Sequence, residues 1–215
     1  HYPLRRQRQM CIRDRTENLH RIELDEQQRK LYLAAVVDAR EKLRAAKPED
    51  KMAVFAVLMR LREICCDPRL VADNWDGGSA KLDACMELVT AAVEGGHRIL
   101  LFSQFTSMLE LLAKRLDEAG VSHFTLQGST PKPVRAELVR RFNSGEADVF
   151  LISLRAGGTG LNLTAADIVI HYDPWWNVAA QNQATDRAYR IGQRNPVQVY
   201  KLIAQDTIEE KIVEL

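Results

Sequence analysis

The chain has 215 residues, of which 46% are hydrophobic and 27% are charged, a balance typical of globular proteins and not of disordered chains. Thirty Lys and Arg residues against 29 Asp and Glu residues give a net charge of +1, so overall charge gives no reason to expect nucleic-acid binding. At about 100 to 200 residues per domain, the length fits one domain and a remainder.

The basic residues are concentrated at the start of the chain. Residues 1–15 contain five arginines and one acid, so the rest carries 25 basic and 28 acidic residues. We interpret residues 1–17 as a basic arm that is disordered or an artefact of sequencing. No apolar run is long enough to span a membrane, and no signal-peptide pattern follows the arginines. We expect a cytoplasmic protein, associated with the nucleoid if it is bacterial.

Four cysteines, Cys11, Cys65, Cys66 and Cys85, form no C-x-x-C pair and have no histidine at ligand spacing. This pattern disfavours a structural zinc site and favours buried free thiols in a reducing compartment. We predict no resident metal site.

The first elements in chain order are helical. Amphipathic spacing predicts one helix over residues 25–46, interrupted at Pro48, and a second from about Glu49 to the stop at Asp67-Pro68. A loop at 72–79 then marks a boundary. We therefore predict a helical linker over residues 18–78 and a second domain over residues 79–215.

Strand and helix signals alternate in the second domain. Helices are predicted over residues 80–94, 106–119, 131–143, 178–190 and 207–215, and strands over 98–103, 123–126, 148–153, 168–172 and 197–203. Thr130 is the expected N-cap before Pro131, and Thr207 with Glu210 forms a capping box.

The predicted strands are apolar throughout, as in residues 99–102 and 149–152, which indicates that both faces of the sheet are covered. This predicts an α/β fold with a mainly parallel sheet between two helical layers. Ligands of such sheets bind beyond the carboxyl ends of the strands. The loops to examine are therefore 103–106, 127–130, 154–164 and 173–177.

A glycine cluster at 155–160 follows one buried strand, where backbone N–H groups could approach a phosphate. It is not a dinucleotide fingerprint, because Leu163 stands where glycine or alanine is required, and the chain has no Gly-Lys dipeptide for a P-loop. A tight turn without a ligand is equally compatible with the pattern.

Gln183, Arg187 and Arg190 have the spacing that places them on one face of a helix. Two guanidiniums one turn apart suit anionic oxygens and could stabilise charge during phosphoryl transfer. A solvated face, with Asp186 pairing locally, is the alternative. The neighbouring pair Trp175 and Trp176 offers an indole that could stack on a base, although for Trp175 a core position is favoured.

Five segments taken in order resemble the second RecA-like lobe of Swi/Snf-type DNA translocases, which are relatives of superfamily-two helicases. They are residues 99–105 (ILLFSQF), 126–130 (LQGST), 151–163 (LISLRAGGTGLNL), 173–177 (DPWWN) and 183–193 (QATDRAYRIGQ). The resemblance covers residues 79–215, and residues 18–75 look like the linker that precedes this lobe. It implies a RecA-like three-layer fold.

The resemblance also implies a function. The whole protein would be an ATP-driven translocase on double-stranded DNA, with ATP and Mg held mainly by an N-terminal lobe that carries the P-loop and the metal-holding acids. This chain would be the C-terminal half and inactive alone. Its partners would be that lobe and duplex DNA, read without sequence preference, and no membrane. Whether the substrate is naked DNA, a nucleoprotein or a DNA-bound complex such as a polymerase stays open.

Residue roles follow from the same resemblance. Arg187 and Arg190 would face ATP, with Arg190 at the γ-phosphate, Gln183 organising that surface, and Gly158 and Gly160 in the ATP cleft. The residues implied in DNA binding are Ser103, Gln104, Thr106, Gly128, Ser129, Thr130, Arg155, Gly157 and Trp176. Arg155 stands where the family often has lysine, which keeps the positive charge. The alternative function is a non-catalytic DNA or protein interaction module that retains this fold.

Overall fold

The computed structural model describes residues 15–45, 50–157, 161–186 and 196–214. Its strands are β1 (Arg15–Ile22), β2 (Ile99–Ser103), β3 (His123–Leu126), β4 (Val149–Ser153), β5 (Ile168–His171) and β6 (Val197–Ala204). Its helices are α1 (Glu26–Ala45), α2 (Lys51–Cys66), α3 (Ala80–Glu94), α4 (Thr106–Glu118), α5 (Lys132–Ser144), α6 (Leu154–Gly157), α7 (Val178–Thr185) and α8 (Ile208–Val213). None of these helices is long and apolar enough to cross a membrane.

All six strands join one parallel sheet in the order β1-β6-β5-β2-β4-β3. Every residue of the central strands β2, β4 and β5 is buried. Side chains alternate across a sheet, and Leu101 accordingly joins one apolar cluster while Leu100 and Phe102 join another. The predicted parallel sheet with both faces covered is confirmed.

The strand β1 was not predicted from the sequence. It pairs with β6 from Arg15 opposite Val197 to Ile22 opposite Ala204, at the edge of the sheet. Ile22 is the one buried side chain among those described for this strand. Polar edge strands carry little hydropathy signal, which is why residues 15–22 did not read as a strand. The strand crosses the boundary predicted between residues 17 and 18, while residues 1–14 lie outside the described part.

The two helices α1 and α2 are confirmed, and buried polar contacts fix them to the sheet domain. Gln28 of α1 donates from Nε2 to the carbonyl oxygen of Ile64 at 2.9 Å, and its Oε1 accepts from the N–H of Ala80 at 3.4 Å. The hydroxyl of Tyr172, just after β5, donates to the carbonyl oxygen of Cys66 at 2.8 Å. The linker helices therefore pack as part of the domain that follows them, and the division of the chain at residue 79 stays a prediction.

A buried ion pair joins α3 to the last helix of the chain. Lys81 Nζ donates to Glu209 Oε2, and both side chains are inaccessible to solvent. The same carboxylate oxygen accepts from the N–H of Ala204 at 2.8 Å, and the ammonium lies 5.5 Å from the centre of the Tyr172 ring. The pair thus holds the C-terminal end of β6 against α3.

Two helix starts test the predicted caps. Helix α5 begins after Pro131, not after Thr130; the Thr130 Oγ1 accepts instead from the N–H of Gln127 at 3.0 Å. The predicted cap at Thr207 is confirmed, with its Oγ1 accepting from the N–H of Glu209 at 3.2 Å. Glu210 accepts from Asp206, one residue before the predicted partner.

The remaining predicted elements agree with the structure to within a residue or two. There are two exceptions, in the predicted loop 154–164 and in the helix predicted over 178–190. The four-residue helix α6 stands in the predicted loop 154–164. The end of the helix predicted over 178–190 lies outside the described residues.

Candidate nucleic-acid interface

An open depression of about 560 Å³ lies where the carboxyl ends of β2, β3 and β4 meet. The ends of parallel strands share one edge of the sheet, which is where such folds bind ligands. Its lining comes from α2 and from the ends of three strands: Glu63, Gln104, Phe105, Thr106, Ser107, Gln127, Gly128, Ser129 and Ser153. The depression is therefore built from three of the segments that the sequence singled out.

Four of the residues predicted to bind DNA, Gln104, Thr106, Gly128 and Ser129, line this depression together. Thr106 opens helix α4, whose N-cap residue Phe105 makes no side-chain capping bond. The first N–H groups of a helix lack partners within the helix and favour anions. Residues with hydroxyl and amide side chains, together with the start of a helix, thus line one concave surface.

Arg135 of helix α5 stabilises the turn at 127–130 through hydrogen bonds to its carbonyl oxygens. Its Nη2 donates to the carbonyl oxygen of Gly128 at 3.1 Å, and its Nε donates to that of Thr130 at 3.1 Å. Thr130 also closes the turn with its own hydroxyl, whereas Ser129 is exposed. No role for Arg135 was predicted from the sequence, because an arginine on a helix is normally a solvated surface residue.

Ser103 does not line the depression. It is fully buried; its Oγ donates to Asp173 Oδ1 at 2.5 Å and accepts from the N–H of Phe105 at 3.2 Å. Asp173 also accepts from the N–H of Gln104 at 3.3 Å. The structure therefore places Ser103 beneath the predicted contact loop, where it positions Gln104 and Phe105.

Asp173 carries a strongly perturbed carboxyl group. Burial raises its pKa to about 6, against the opposing influence of the Arg62 guanidinium and the Ser103 hydrogen bond. Arg62 is also fully buried, and its Nη2 lies 3.4 Å from Asp173 Oδ2 and donates to the carbonyl oxygen of Pro174 at 2.5 Å. Two other nitrogens of Arg62, Nε and Nη1, have no hydrogen-bond partner among the described residues. This buried pair was not predicted from the sequence.

Trp176 lies against Arg62, outside the depression. The guanidinium carbon is 4.7 Å from the centre of the Trp176 ring and 5.5 Å from that of Phe105. Trp176 is partly exposed and also approaches Phe55 of α2 at 6.3 Å between ring centres. Trp175 is also partly buried and packs against the apolar cluster of Phe102 and Phe150, so it borders the core in which it was predicted to lie.

Most residues predicted to face ATP cannot be placed. Gly158, Gly160, Arg187 and Arg190 lie outside the described residues, and Gln183 is exposed on α7. The two other predicted DNA contacts, Arg155 and Gly157, belong to α6, which follows β4 directly. The side chain of Arg155 is not among those described.

The three described cysteines, Cys65, Cys66 and Cys85, are free and buried, as predicted. Burial raises the pKa of the Cys85 thiol to about 12, so this thiol is not reactive at neutral pH. Across the described ranges, no group of three or more His, Cys, Asp or Glu residues is arranged to hold a metal ion.

Comparisons with known proteins identify the family. The protein-family model of the helicase conserved C-terminal domain matches residues 80–192. An uncharacterized ATP-dependent helicase of Mycoplasma pneumoniae is 37% identical over 198 residues, which are 90% of this chain and 19% of that protein. The mouse SWI/SNF-related matrix-associated actin-dependent regulator of chromatin subfamily A member 1 is 37% identical over 204 residues, 89% of this chain and 20% of that protein.

A solved structure agrees with these relatives. The SWI2/SNF2 ATPase core of Sulfolobus solfataricus in complex with dsDNA is 31% identical, with a TM-score of 0.82 over 94% of this chain and 43% of that one. The chain spans about a fifth of the length of the curated relatives it matches. The RecA-like fold expected from the sequence is confirmed, and the chain belongs to the helicase conserved C-terminal domain family, as a C-terminal lobe of the Swi/Snf type.

Proposed function

We propose that this chain is the C-terminal half of an ATP-driven translocase on double-stranded DNA. The observation that supports the proposal most directly is the meeting of Gln104 and Thr106 with Gly128 and Ser129 in one depression. These residues come from two separate loops, and binding of DNA by both loops would account for their meeting in one depression. Arg155, Gly157 and Trp176 are proposed to extend the DNA surface.

The chemistry of the depression suits the DNA backbone. Hydroxyl groups, amides and helix N-terminal N–H groups bind phosphate oxygens and position a protein on the duplex without reading base sequence. Such neutral donors hold DNA weakly, since they release few counterions compared with lysine or arginine. A motor that moves along DNA must release it in every cycle, so weak binding fits the proposed activity.

The proposed ATP site is shared with another lobe of the same protein. Relatives of this chain are named ATP-dependent helicases, which supports the use of ATP. ATP and Mg would be held mainly by that other lobe, together with Gly158 and Gly160 of this chain. Arg187 and Arg190, organised by Gln183, would stabilise the charge that develops on the γ-phosphate.

One comparison of purified proteins tests the proposal. The 215-residue chain should bind duplex DNA but hydrolyse no ATP, whereas a protein that also contains the preceding coding sequence should show DNA-stimulated hydrolysis. The preceding sequence should itself contain a Gly-Lys-Ser/Thr turn. Hydrolysis by the isolated chain would contradict the shared site. DNA binding without hydrolysis in the longer protein would favour the alternative, a non-catalytic interaction module.

A further inference from the structure

The depression contains one charged side chain among its described lining residues, and that side chain is an acid. Glu63, on the linker helix α2, shares the surface with Gln104, Thr106 and Ser129. The other lining groups are amides, hydroxyls, backbone and one phenyl ring. A carboxylate is the group that phosphate repels, so its position on this surface calls for an explanation.

No described residue forms an ion pair with the charge of Glu63. Its side chain is partly buried, and it forms no hydrogen bond or ion pair within the described part of the chain. Burial raises the pKa of Glu63, and Arg60 on the same helix opposes that shift only in part. Residue 60 is exposed, so its charge is screened by solvent. The carboxylate therefore acts on whatever occupies the depression.

We infer that Glu63 limits the affinity of this surface for DNA and so speeds release of the duplex. The inference rests on the proposed function, which places DNA phosphates in the depression. Like charges near a protein surface repel each other by an amount that falls with distance and with salt. Among the described lining residues, neutral donors attract the phosphates and one acid, Glu63, opposes them. Helix α2 thereby contributes to the DNA surface, although its sequence resembles a linker.

The test measures DNA binding by the 215-residue chain and its variants. Glu63→Gln keeps the size of the side chain, removes the charge and replaces one acceptor oxygen with an NH2 donor. Glu63→Lys reverses the charge. Glu87→Gln is the matched control, because it removes one charge from an exposed residue that lines a separate depression between α3 and α4. Fluorescence anisotropy with two short duplexes of unrelated sequence gives the dissociation constants, and competition with unlabelled duplex gives the release rates.

At low salt we expect Glu63→Gln to bind both duplexes about 3- to 10-fold more tightly than the natural chain, mostly through slower release. Glu63→Lys should bind more tightly still, and Glu87→Gln should change affinity by less than about twofold. The advantage of Glu63→Gln should shrink as salt rises.

The possible failures are distinct. If Glu63→Gln binds like the natural chain while Thr106→Ala and Ser129→Ala weaken binding, the inference about Glu63 is wrong and the proposed DNA surface stands. If Glu87→Gln tightens binding as much as Glu63→Gln does, the effect is one of net charge and the inference is again wrong. If no variant binds duplex DNA at low salt, the proposed function itself is overturned.

Discussion

Arg62 of helix α2 and Asp173, which follows strand β5, are both fully buried, with 3.4 Å between Nη2 and Oδ2. The same aspartate accepts hydrogen bonds from the Ser103 hydroxyl and the Gln104 N–H. One carboxylate therefore connects the linker helix to the loop that carries the proposed DNA contacts. A change in either partner should affect both the stability of the domain and the geometry of that loop.

Replacing Arg62 with alanine should destabilise the domain by about 3 to 5 kcal/mol, because Asp173 would remain as a buried charge without its cation. Urea denaturation followed by circular dichroism measures this loss. Arg115→Ala is the control, since Arg115 pairs with Asp83 on the surface and such pairs contribute about 1 kcal/mol or less. Equal losses in the two variants would show that the buried pair contributes no more than a surface pair.

The stability contributed by Asp173 should fall as pH rises. Its pKa is about 6 in the folded chain and about 4 in an unfolded one, so the folded state binds the proton more tightly. Between these two values, raising the pH removes stabilisation, by about 1 to 3 kcal/mol in all. Asp173→Asn, which resembles the protonated acid, should lack this component.

The measurement is the difference in unfolding free energy between the natural chain and Asp173→Asn at about pH 4.5 and pH 7.5. The natural chain should lose stability relative to the variant over that interval. A relative gain would mean that the ion pair with Arg62 outweighs the effect of burial.

Removing one partner of the buried Lys81 and Glu209 pair should cost more stability than replacing both partners. Lys81→Met leaves the Glu209 carboxylate buried without its cation, which should cost about 3 to 5 kcal/mol. The double variant Lys81→Met with Glu209→Gln should recover part of that loss, because the uncompensated charge is gone. Thermal and urea denaturation of the four proteins complete the cycle, and additive losses would contradict the expected coupling.

Removing single hydroxyl groups from the depression should weaken DNA binding modestly and evenly. Thr106→Ala and Ser129→Ala should each weaken binding by about 2- to 10-fold, since each loses one neutral hydrogen bond. The loss should be the same for duplexes of different sequence, because phosphate contacts carry no sequence information. Ser144→Ala, at the far end of α5 from the 127–130 turn, should leave affinity unchanged. A loss that depends on sequence would indicate contact with bases.

In the proposed two-lobed protein, Arg190→Ala should lower ATP hydrolysis by roughly 10³-fold or more while nucleotide binding is retained. The reason is that an arginine at the γ-phosphate stabilises the transition state more than the bound nucleotide. Steady-state hydrolysis and binding of a fluorescent ATP analogue give the two quantities. Arg140→Ala, an exposed residue paired with Glu137, is the control. Unchanged hydrolysis would remove Arg190 from the proposed ATP site.

The parts of the fold that follow from hydropathy were predictable. The uniformly apolar strands predicted a parallel sheet with both faces covered, and the position of loops after those strands predicted where Gln104 and Gly128 would meet. The edge strand β1 was not predictable in this way, because polar side chains on an exposed edge give no periodic signal.

The buried charges could not be predicted either. A charged residue on a helix such as Arg62 is ordinarily read as exposed, and its burial depends on Asp173, a partner 111 residues away. For Ser103, the family resemblance implied a DNA contact, but its hydroxyl donates to Asp173 beneath the loop. The position of the loop along the chain can be predicted from the sequence. Which of its side chains are exposed to solvent depends on tertiary contacts.

The pairing of β1 with β6 has a consequence for how the chain folds during synthesis. Lys201 on β6 donates to Glu17 on β1 at 2.8 Å, across 184 residues of sequence. The ribosome therefore releases β6 about 180 residues after β1, at about 5 to 20 residues per second. Strand β1 therefore stays without this partner for roughly 10 to 40 seconds, until β6 emerges. Its polar sequence reduces the risk of aggregation in that interval. The same polar sequence is the reason why β1 was not predicted as a strand.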